Sequence, residues 1–200
     1  MKRPFVIALA VLAVLCVTLI AMAIGSYNQL VTLEQDVAGQ WAQVETAYQR
    51  RADLIPNLVA TVEGASTHER ETLLAVTEAR AKVGSLDVGA AFEDPEAFER
   101  FQAAQNQLSS AVSRLLVVSE AYPDLKANEN FLALQAQLEG TENRISVERR
   151  RFNDAARAFN TKRSSFPTVM IAGMFGDRFA IKAYFQAEPD AEIAPKVAFE

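Results

Sequence analysis

An uninterrupted apolar segment at the N-terminus limits what this chain can fold into more than any other feature. Residues 5–24 contain no charged side chain, and Thr18 carries their single hydroxyl group. A helix of about 20 residues rises about 30 Å, which is the thickness of the hydrocarbon core of a bilayer. The segment therefore predicts a membrane-spanning helix, with the lipid bilayer as partner of residues 5–24.

A cleaved secretory signal is the alternative, because Lys2 and Arg3 precede the segment and residues 21–23 read Ala-Met-Ala. Apolar cores of signal peptides run about 7–15 residues, which is shorter than this one. The length favours an uncleaved anchor over residues 1–25. The single cysteine, Cys16, lies inside the segment, so the chain forms no intramolecular disulfide.

The charges that flank the anchor predict its orientation. Lys2 and Arg3 lie before it, and the next basic residue is Arg50. Basic flanks prefer the cytoplasm, so we expect the rest of the chain to be exported.

The net charge argues against one class of partner. Without Lys2 and Arg3, 18 basic residues remain against 25 acidic ones, a formal charge of −7. Nucleic-acid-binding proteins present a basic face, so we expect no nucleic acid. About 175 residues are enough for one domain with a core of its own.

Beyond the anchor, apolar residues recur at helical spacing and predict an all-α protein. In the first long segment they alternate in steps of three and four, as in the seam of a heptad repeat. These residues are Tyr27, Leu30, Val37, Trp41, Val44, Tyr48, Ile55, Leu58 and Val62. Glu34 and Arg51 occupy the same seam. Pro56 lacks an N–H and predicts a kink near Ala52.

Capping signals divide the rest into further helices. Residues 66–69 resemble a capping box that opens a second helix, and residues 84–93 are predicted to be a loop. Asp94 and Pro95 predict the start of a third helix, which ends before Pro123. Asp124 or Asn128 would cap a fourth.

These elements predict an elongated antiparallel four-helix bundle over residues 26–163, with a tail over residues 164–200. A fused first and second helix, giving three long helices, is the alternative.

Two polar clusters on the first and fourth helices form the candidate site. A charge on a helix seam is costly unless it is paired, so we expect Arg51 to pair with Glu139 or Glu142. The predicted ion pair or partner notch comprises Arg51, Asp53, Pro56, Asn57, Glu139, Glu142, Asn143 and Arg144. Pro56 and Gly140 weaken helices locally, which indicates either packing tolerance or a docking notch. The run at 149–151 is predicted to be a solvated helix face.

The tail contains an apolar stretch, residues 166–176, which is too short to cross a bilayer. With an even number of helices the chain returns to the membrane side. Lys162, Arg163, Met170 and Phe175 are therefore candidate membrane contacts. Packing of the tail on the helical bundle is the equal alternative.

Nothing in the sequence predicts an enzyme or a cofactor. His68 is the single histidine, and with Glu69 and Glu71 it falls far short of a zinc site. No glycine-rich phosphate loop follows a strand, and no serine has the context of a nucleophile elbow.

Several long motifs resemble the LemA family. They are YNQLV at 27–31, WAQVE at 41–45, RRADLIPNLV at 50–59, YPDLKAN at 122–128, FL at 131–132, LEGTENRI at 138–145 and PKVAF at 195–199. The resemblance runs from the anchor to the C-terminus.

This resemblance implies a single-pass protein of the bacterial inner (cytoplasmic) membrane with an antiparallel helical domain. The family has no established enzymatic activity or cofactor that could be carried over to this chain. It implies an envelope partner such as a membrane zinc metalloprotease or a TPM-domain protein. Some descriptions of the family place the helical domain in the cytoplasm, in conflict with the charge bias.

The sequence thus predicts a membrane-anchored, non-enzymatic helical scaffold or adaptor of the cell envelope. It would act through contacts with another protein or through self-association. The alternative is a membrane-surface organiser that binds lipid through the basic end of the fourth helix and the apolar tail.

Overall fold

The structure is a computed structural model that describes residues 2–65, 69–119 and 121–186. Within these ranges it contains helices and no strand, so the prediction of an all-α protein is confirmed. The α-helices are α1 Lys2–Ala65, α2 Arg70–Gly84, α3 Val88–Glu93, α4 Pro95–Ser119, α5 Pro123–Lys126, α6 Glu129–Ser164 and α7 Thr168–Met174. A short 3-10 helix follows at Gly176–Phe179.

The predicted anchor is the first part of α1. Residues 4–22 are exposed along all faces of the helix. Of the described helices, α1 alone is long and apolar enough to cross a membrane, with a mean hydropathy of 3.0 in its most apolar window. A signal sequence near an N-terminus passes the same test, so the finding supports anchoring by helix length and composition alone.

Helix α1 continues through Pro56 to Ala65. Proline has no N–H, so the carbonyl of Ala52, four residues earlier, loses its partner within the helix. Arg80 of α2 replaces that partner, because its Nε donates to the Ala52 carbonyl at 3.0 Å. At the predicted kink in α1, the free carbonyl of Ala52 is therefore hydrogen-bonded to a neighbouring helix.

The helix boundaries follow the capping signals in most places. Asp94 accepts hydrogen bonds from the backbone N–H groups of Glu96 and Ala97 at 3.2 and 3.1 Å, as its predicted role requires. Asn128 caps α6, whereas Asp124 falls within α5. Of the predicted capping box at 66–69, residues 66–68 lie outside the described residues. Glu69 is non-helical, so α1 and α2 are separate and the fused alternative does not hold.

The prediction of a loop over residues 84–93 is wrong in its second half, which forms α3. Asp87 starts this helix by accepting hydrogen bonds from Gly89 N at 2.9 Å and Ala90 N at 3.1 Å. Ala91 is buried, and α3 packs against α4. Six residues are too few to show a helical period, so the capping signal was the one indication in the sequence.

The chain divides into two compact units. The first comprises the described residues up to Gln40 and Asp154–Lys182, and the second comprises Trp41–Asn153 and residues 183–186. This division differs from the predicted boundaries 1–25, 26–163 and 164–200, because parts of the tail belong to each unit.

In the first unit, the tail contributes to the core. Leu30 and Val37 of α1, Phe159 of α6 and Phe179 of the tail are fully buried. The Tyr27 ring lies 5.5 Å from that of Phe179. The predicted packing of the tail on helices is therefore present for this part of the chain.

The second unit contains a core that α1, α2, α4, α5 and α6 share. Its buried members are Ile55, Leu58, Val62, Leu73, Val76, Ala79, Leu108, Ala111, Val112, Leu115, Leu125, Phe131 and Leu138. In this unit α1 and α6 run antiparallel, since Tyr48 is bonded to Arg149, and Arg51, further along α1, to Glu142, earlier in α6. The arrangement of the four predicted helices in a single bundle stays a prediction.

Candidate functional site

Arg51 is the centre of a buried polar network in the second unit. Its side chain is 1% exposed, although guanidinium groups are rarely buried. One terminal nitrogen, Nη1, donates to Ser109 Oγ at 2.5 Å and to Glu142 Oε1 at 2.7 Å. The other, Nη2, donates to Gln105 Oε1 at 2.5 Å and to the Gln105 carbonyl at 3.2 Å. The planar guanidinium thus connects α1, α4 and α6.

Of the two partners predicted for Arg51, the structure contains Glu142. The Glu142 side chain is 42% exposed, so the pair joins a buried cation to a carboxylate that reaches solvent. Glu139 is exposed and instead accepts a hydrogen bond from Gln135 Nε2 at 3.3 Å. Glu142 therefore lies at the edge of the network, between buried Arg51 and solvent.

A second layer of the network joins Tyr48 and Arg149. Arg149 Nε donates to the Tyr48 hydroxyl at 2.5 Å, and Nη2 donates to Asn106 Oδ1 at 3.2 Å. Its guanidinium also lies 5.1 Å from the ring centre of Phe185. Arg149 is half-buried, so the prediction that the whole 149–151 run is a solvated face is wrong for this residue. It lies three residues before buried Phe152, a spacing that places it beside the seam.

Tyr48 is a structural member of this network. Burial raises the pKa of Tyr48 above its usual value near 10, and the charges of Arg149 and Arg51 partly oppose the rise. The phenol is therefore neutral at physiological pH. Its oxygen accepts the hydrogen bond of Arg149, and the group is unsuited to general base catalysis.

A groove of about 450 Å³ lies between α1 and α6 beside this network. Its lining residues are Gln43, Thr46, Ala47, Arg50, Gln137, Gly140, Thr141 and Arg144. A methyl group built at Gly140 would meet no atom within 4 Å, so close packing does not require glycine there. Arg50 is exposed and makes no ion pair with any described residue, and Arg144 pairs with Glu148 at 3.3 Å. The groove is therefore lined by small, amide and basic residues.

A second groove, of about 470 Å³, lies between α4 and α6. Glu139, Glu142 and Asn143 form one wall, and Ser109 and Ser113 form the other. The predicted notch residues of α6 are thus divided between two grooves, with Arg144 on the basic one. Each groove has a different charge and would accept a different kind of partner.

The predicted notch residues of α1 after Arg51 line neither groove. Asp53, Pro56 and Asn57 are exposed. Asp53 accepts a hydrogen bond from Gln49 Nε2 at 2.8 Å, which is a contact within one helix. The structure therefore does not bring these three residues together with the polar cluster of α6.

The first unit contains a polar contact that the sequence did not reveal. Glu34 is buried on α1, and its carboxylate pairs with Arg178 and, at 3.8 Å, with Lys182. Both partners lie in the tail, more than a hundred residues away. Glu34 on a seam indicated that a partner was needed, but no local spacing identified it.

The four candidate membrane contacts lie in the first unit. Lys162 and Arg163 are half-buried at the end of α6, and Arg163 Nε donates to the Phe179 carbonyl at 2.5 Å. Met170 is exposed on α7, and Phe175, which follows it, is 48% exposed. Their contact with lipid stays a prediction.

No metal centre is evident in the part of the chain that the structure describes. No group of three or more His, Cys, Asp or Glu side chains is close enough there to hold an ion. His68 lies outside this part, and Cys16 is exposed within the apolar segment. The described polar clusters are ion pairs and hydrogen bonds between helices.

Comparison with known proteins identifies the family. A family model described as LemA family matches residues 40–199, which is most of the chain. The chain belongs to the LemA family. The match covers the α1–α6 groove, the Arg51 network and the tail, and it begins after the apolar segment. Among curated proteins, no match was found. The LemA match names a family and states no reaction, cofactor or partner.

Proposed function

We propose that this LemA-family chain is a membrane-anchored, non-enzymatic helical adaptor of the bacterial cell envelope, and that it binds a partner protein through the α1–α6 groove. The exposed apolar segment at residues 4–22 supports the anchoring. The groove beside the Arg51 network supports the binding.

Gly140 is the single observation that carries the binding proposal. Glycine inside a helix costs about 0.5–1 kcal/mol relative to alanine, so a structural reason is expected for it. The space around Gly140 is open, and no backbone or side chain presses on it. Gly140 weakens α6 and leaves the groove open at its position. This combination is expected where a helix of another protein packs closely against the groove.

The charge of the groove indicates the chemistry of its partner. Arg50, at one wall, makes no ion pair with any residue that the structure describes, and Arg144, which pairs with Glu148, lies across the groove on α6. An acidic helix or segment complements these charges, and such complementarity gives specificity and speeds association. Envelope proteins such as a membrane metalloprotease or a TPM-domain protein are the partners to test first, and a second copy of the chain is the other.

The Arg51 network supports this role by holding the walls of the groove. Arg51 joins α1 to α6 through Glu142, and Tyr48 joins the same helices through Arg149. Two such cross-links fix the relative position of the helices that form the groove. Preorganised surfaces bind more tightly because less conformational freedom is lost on binding.

We further propose that α1 crosses the inner membrane once and that the helical units are exported. Lys2 and Arg3 before the segment, with no basic residue until Arg50, support this orientation. Protease added to spheroplasts should therefore digest the chain beyond residue 25. Resistance to the protease until the membrane is permeabilised would place the units in the cytoplasm instead.

Photo-crosslinking in intact cells tests the groove. With a photoreactive amino acid at Gln43, on the groove wall, we expect a crosslinked species after affinity isolation. The same amino acid at Val117, exposed on α4, is the matched control and should give none. Recovery of only uncrosslinked monomer from both variants would count heavily against the adaptor function. A crosslinked dimer would identify self-association.

Gly140→Gln distinguishes a docking surface from a packing defect. Glutamine is a good helix former and would fill the open trough, so we expect stability to rise by about 0.5–1 kcal/mol and the Gln43 crosslink to be lost. Gly39→Gln is the control, because a Cβ built at Gly39 would also meet no neighbouring group within 4 Å and Gly39 lies outside the groove. It should stabilise equally and keep the crosslink. A retained crosslink in Gly140→Gln contradicts docking at this groove.

A further inference from the structure

The first unit exposes an apolar face on the tail that folding leaves uncovered. From Ser164 to Gly176 the sequence has no charged residue. Thr168 and Ala172 of α7 are buried, so the opposite face points outward. Phe166 is 81% exposed, and Met174 is 79% exposed. The exposed apolar side chains of this face are Phe166, Val169, Met170, Met174 and Phe175.

Contiguous apolar surface on a soluble protein marks a binding site. The position of this face relative to the anchor indicates what covers it. The ring of Phe175 lies 5.0 Å from that of Tyr27, three residues after the end of the apolar segment. The face is therefore adjacent to the point where α1 would leave the bilayer.

Burial along α1 confirms this position. Residues 4–22 are exposed, whereas Ala23, Ser26 and Tyr27 are half-buried and Leu30 is buried. These four residues follow the i, i+3, i+4, i+7 spacing of one helix face. The core of the first unit thus begins at Ala23, within the last turn of the apolar segment 5–24. When that segment is in lipid, α7 lies at the boundary of the hydrocarbon.

We propose that α7 and its flanking phenylalanines form an interfacial membrane contact, which inserts the exposed apolar face beside α1. This inference rests on the anchoring part of the proposed function and is independent of the groove. The occupant is the bilayer, because the face continues the surface of the anchor. Apolar side chains at this depth lie at the boundary between headgroups and acyl chains.

The basic residues of this unit fit the same arrangement. Lys162 and Arg163 end α6 immediately before the apolar segment of the tail, and Arg178 follows it. Arg178 pairs with Glu34, and Arg163 donates to the Phe179 carbonyl. Cationic groups near an interfacial segment suit the anionic phosphates of lipid headgroups. The protein would then contact the membrane at two places, the spanning helix and α7.

Spin-label depth measurements on the full chain test this contact. The background is Cys16→Ala, and labels are placed by Met170→Cys and Met174→Cys. Val14→Cys in the anchor is the hydrocarbon control, and Val117→Cys on α4 is the water control. Each variant is reconstituted in vesicles of equal parts phosphatidylethanolamine and phosphatidylglycerol. The relaxation of the spin label by oxygen is then compared with its relaxation by an aqueous nickel chelate.

We expect the ratio of oxygen to nickel relaxation at Met170→Cys and Met174→Cys to exceed that at Val117→Cys several-fold and to stay below that at Val14→Cys. A ratio equal to that of Val117→Cys overturns the proposal and leaves the anchor intact. Protection of the two tail labels from both oxygen and nickel also overturns it, because protein then covers the face. If that protection is lost when the protein is diluted with lipid, the covering protein is a second copy of the chain. A water-like ratio at Val14→Cys would overturn the anchoring itself.

Discussion

Arg51→Ala should destabilise the second unit by about 2–5 kcal/mol, because it removes a buried side chain that joins three helices and leaves a cavity in its place. The substitution also leaves Gln105 Oε1 in the interior without its donor, at a further desolvation cost. For a chain of this size, we expect the melting temperature to fall by about 4–20 °C. Circular dichroism of the full chain in detergent during heating measures the shift.

Arg100→Ala is the matched control for Arg51→Ala. Arg100 lies in the same unit, but its side chain is 62% exposed and its carboxylate partners are 3.7 and 3.8 Å away. Surface pairs of this kind contribute about 0–1 kcal/mol. If both variants melted within error of each other, the Arg51 guanidinium would be solvated and the network would not exist in solution.

Trp41→Ala should be comparably destabilising, because Trp41 is the centre of an aromatic cluster. The residue is 6% exposed, and five rings surround it at centroid distances of 5.4–6.1 Å. These rings belong to Phe92, Phe98, Phe101, Phe152 and Phe185. Truncation of a buried aromatic residue to alanine costs about 3–5 kcal/mol, since it removes apolar burial and leaves a cavity.

Urea unfolding of the full chain, followed by circular dichroism, measures the effect of Trp41→Ala. Val117→Ala is the control, because Val117 is 71% exposed, and its midpoint should hardly change. Trp41→Phe should lose less stability than Trp41→Ala, because a ring still occupies the centre. Equal midpoints for Trp41→Ala and wild type would mean that the cluster does not form.

Periodicity predicted the core well, because the spacing of apolar residues on a helix determines which of them share a face. The seam of α1 from Leu30 to Val62 and the seam of α4 from Phe98 to Leu115 are buried, and Asp94 and Asn128 cap the helices that follow them. These signals are local. They depend on neighbours within one or two turns, which the sequence shows directly.

The contacts that sequence reasoning missed join residues that are distant in the chain. Arg80 donates a hydrogen bond to the Ala52 carbonyl, and Arg178 and Lys182 pair with Glu34. Arg149 was assigned to solvent because it stands in a basic run, whereas its position beside Phe152 directs it to Tyr48. A charge pattern along one helix does not identify the helix that packs against it.

The candidate site was predictable in one part. A guanidinium on a helix seam requires a partner, and antiparallel pairing of the first and last long helices placed Glu139 and Glu142 within reach. The structure contains the pair with Glu142. The open space around Gly140 could not be inferred, because it depends on the distance between α1 and α6.

The sequence by itself determined that the chain is all-α, that Asp94 starts α4, which helix faces are apolar and that its first segment can span a membrane. Short-range spacing and composition suffice for these properties. The tertiary structure decided which carboxylate meets Arg51, where the tail packs, and that an apolar face on α7 adjoins the end of the anchor. Those outcomes depend on which surfaces meet, and a helix presents the same side chains whichever neighbour it has.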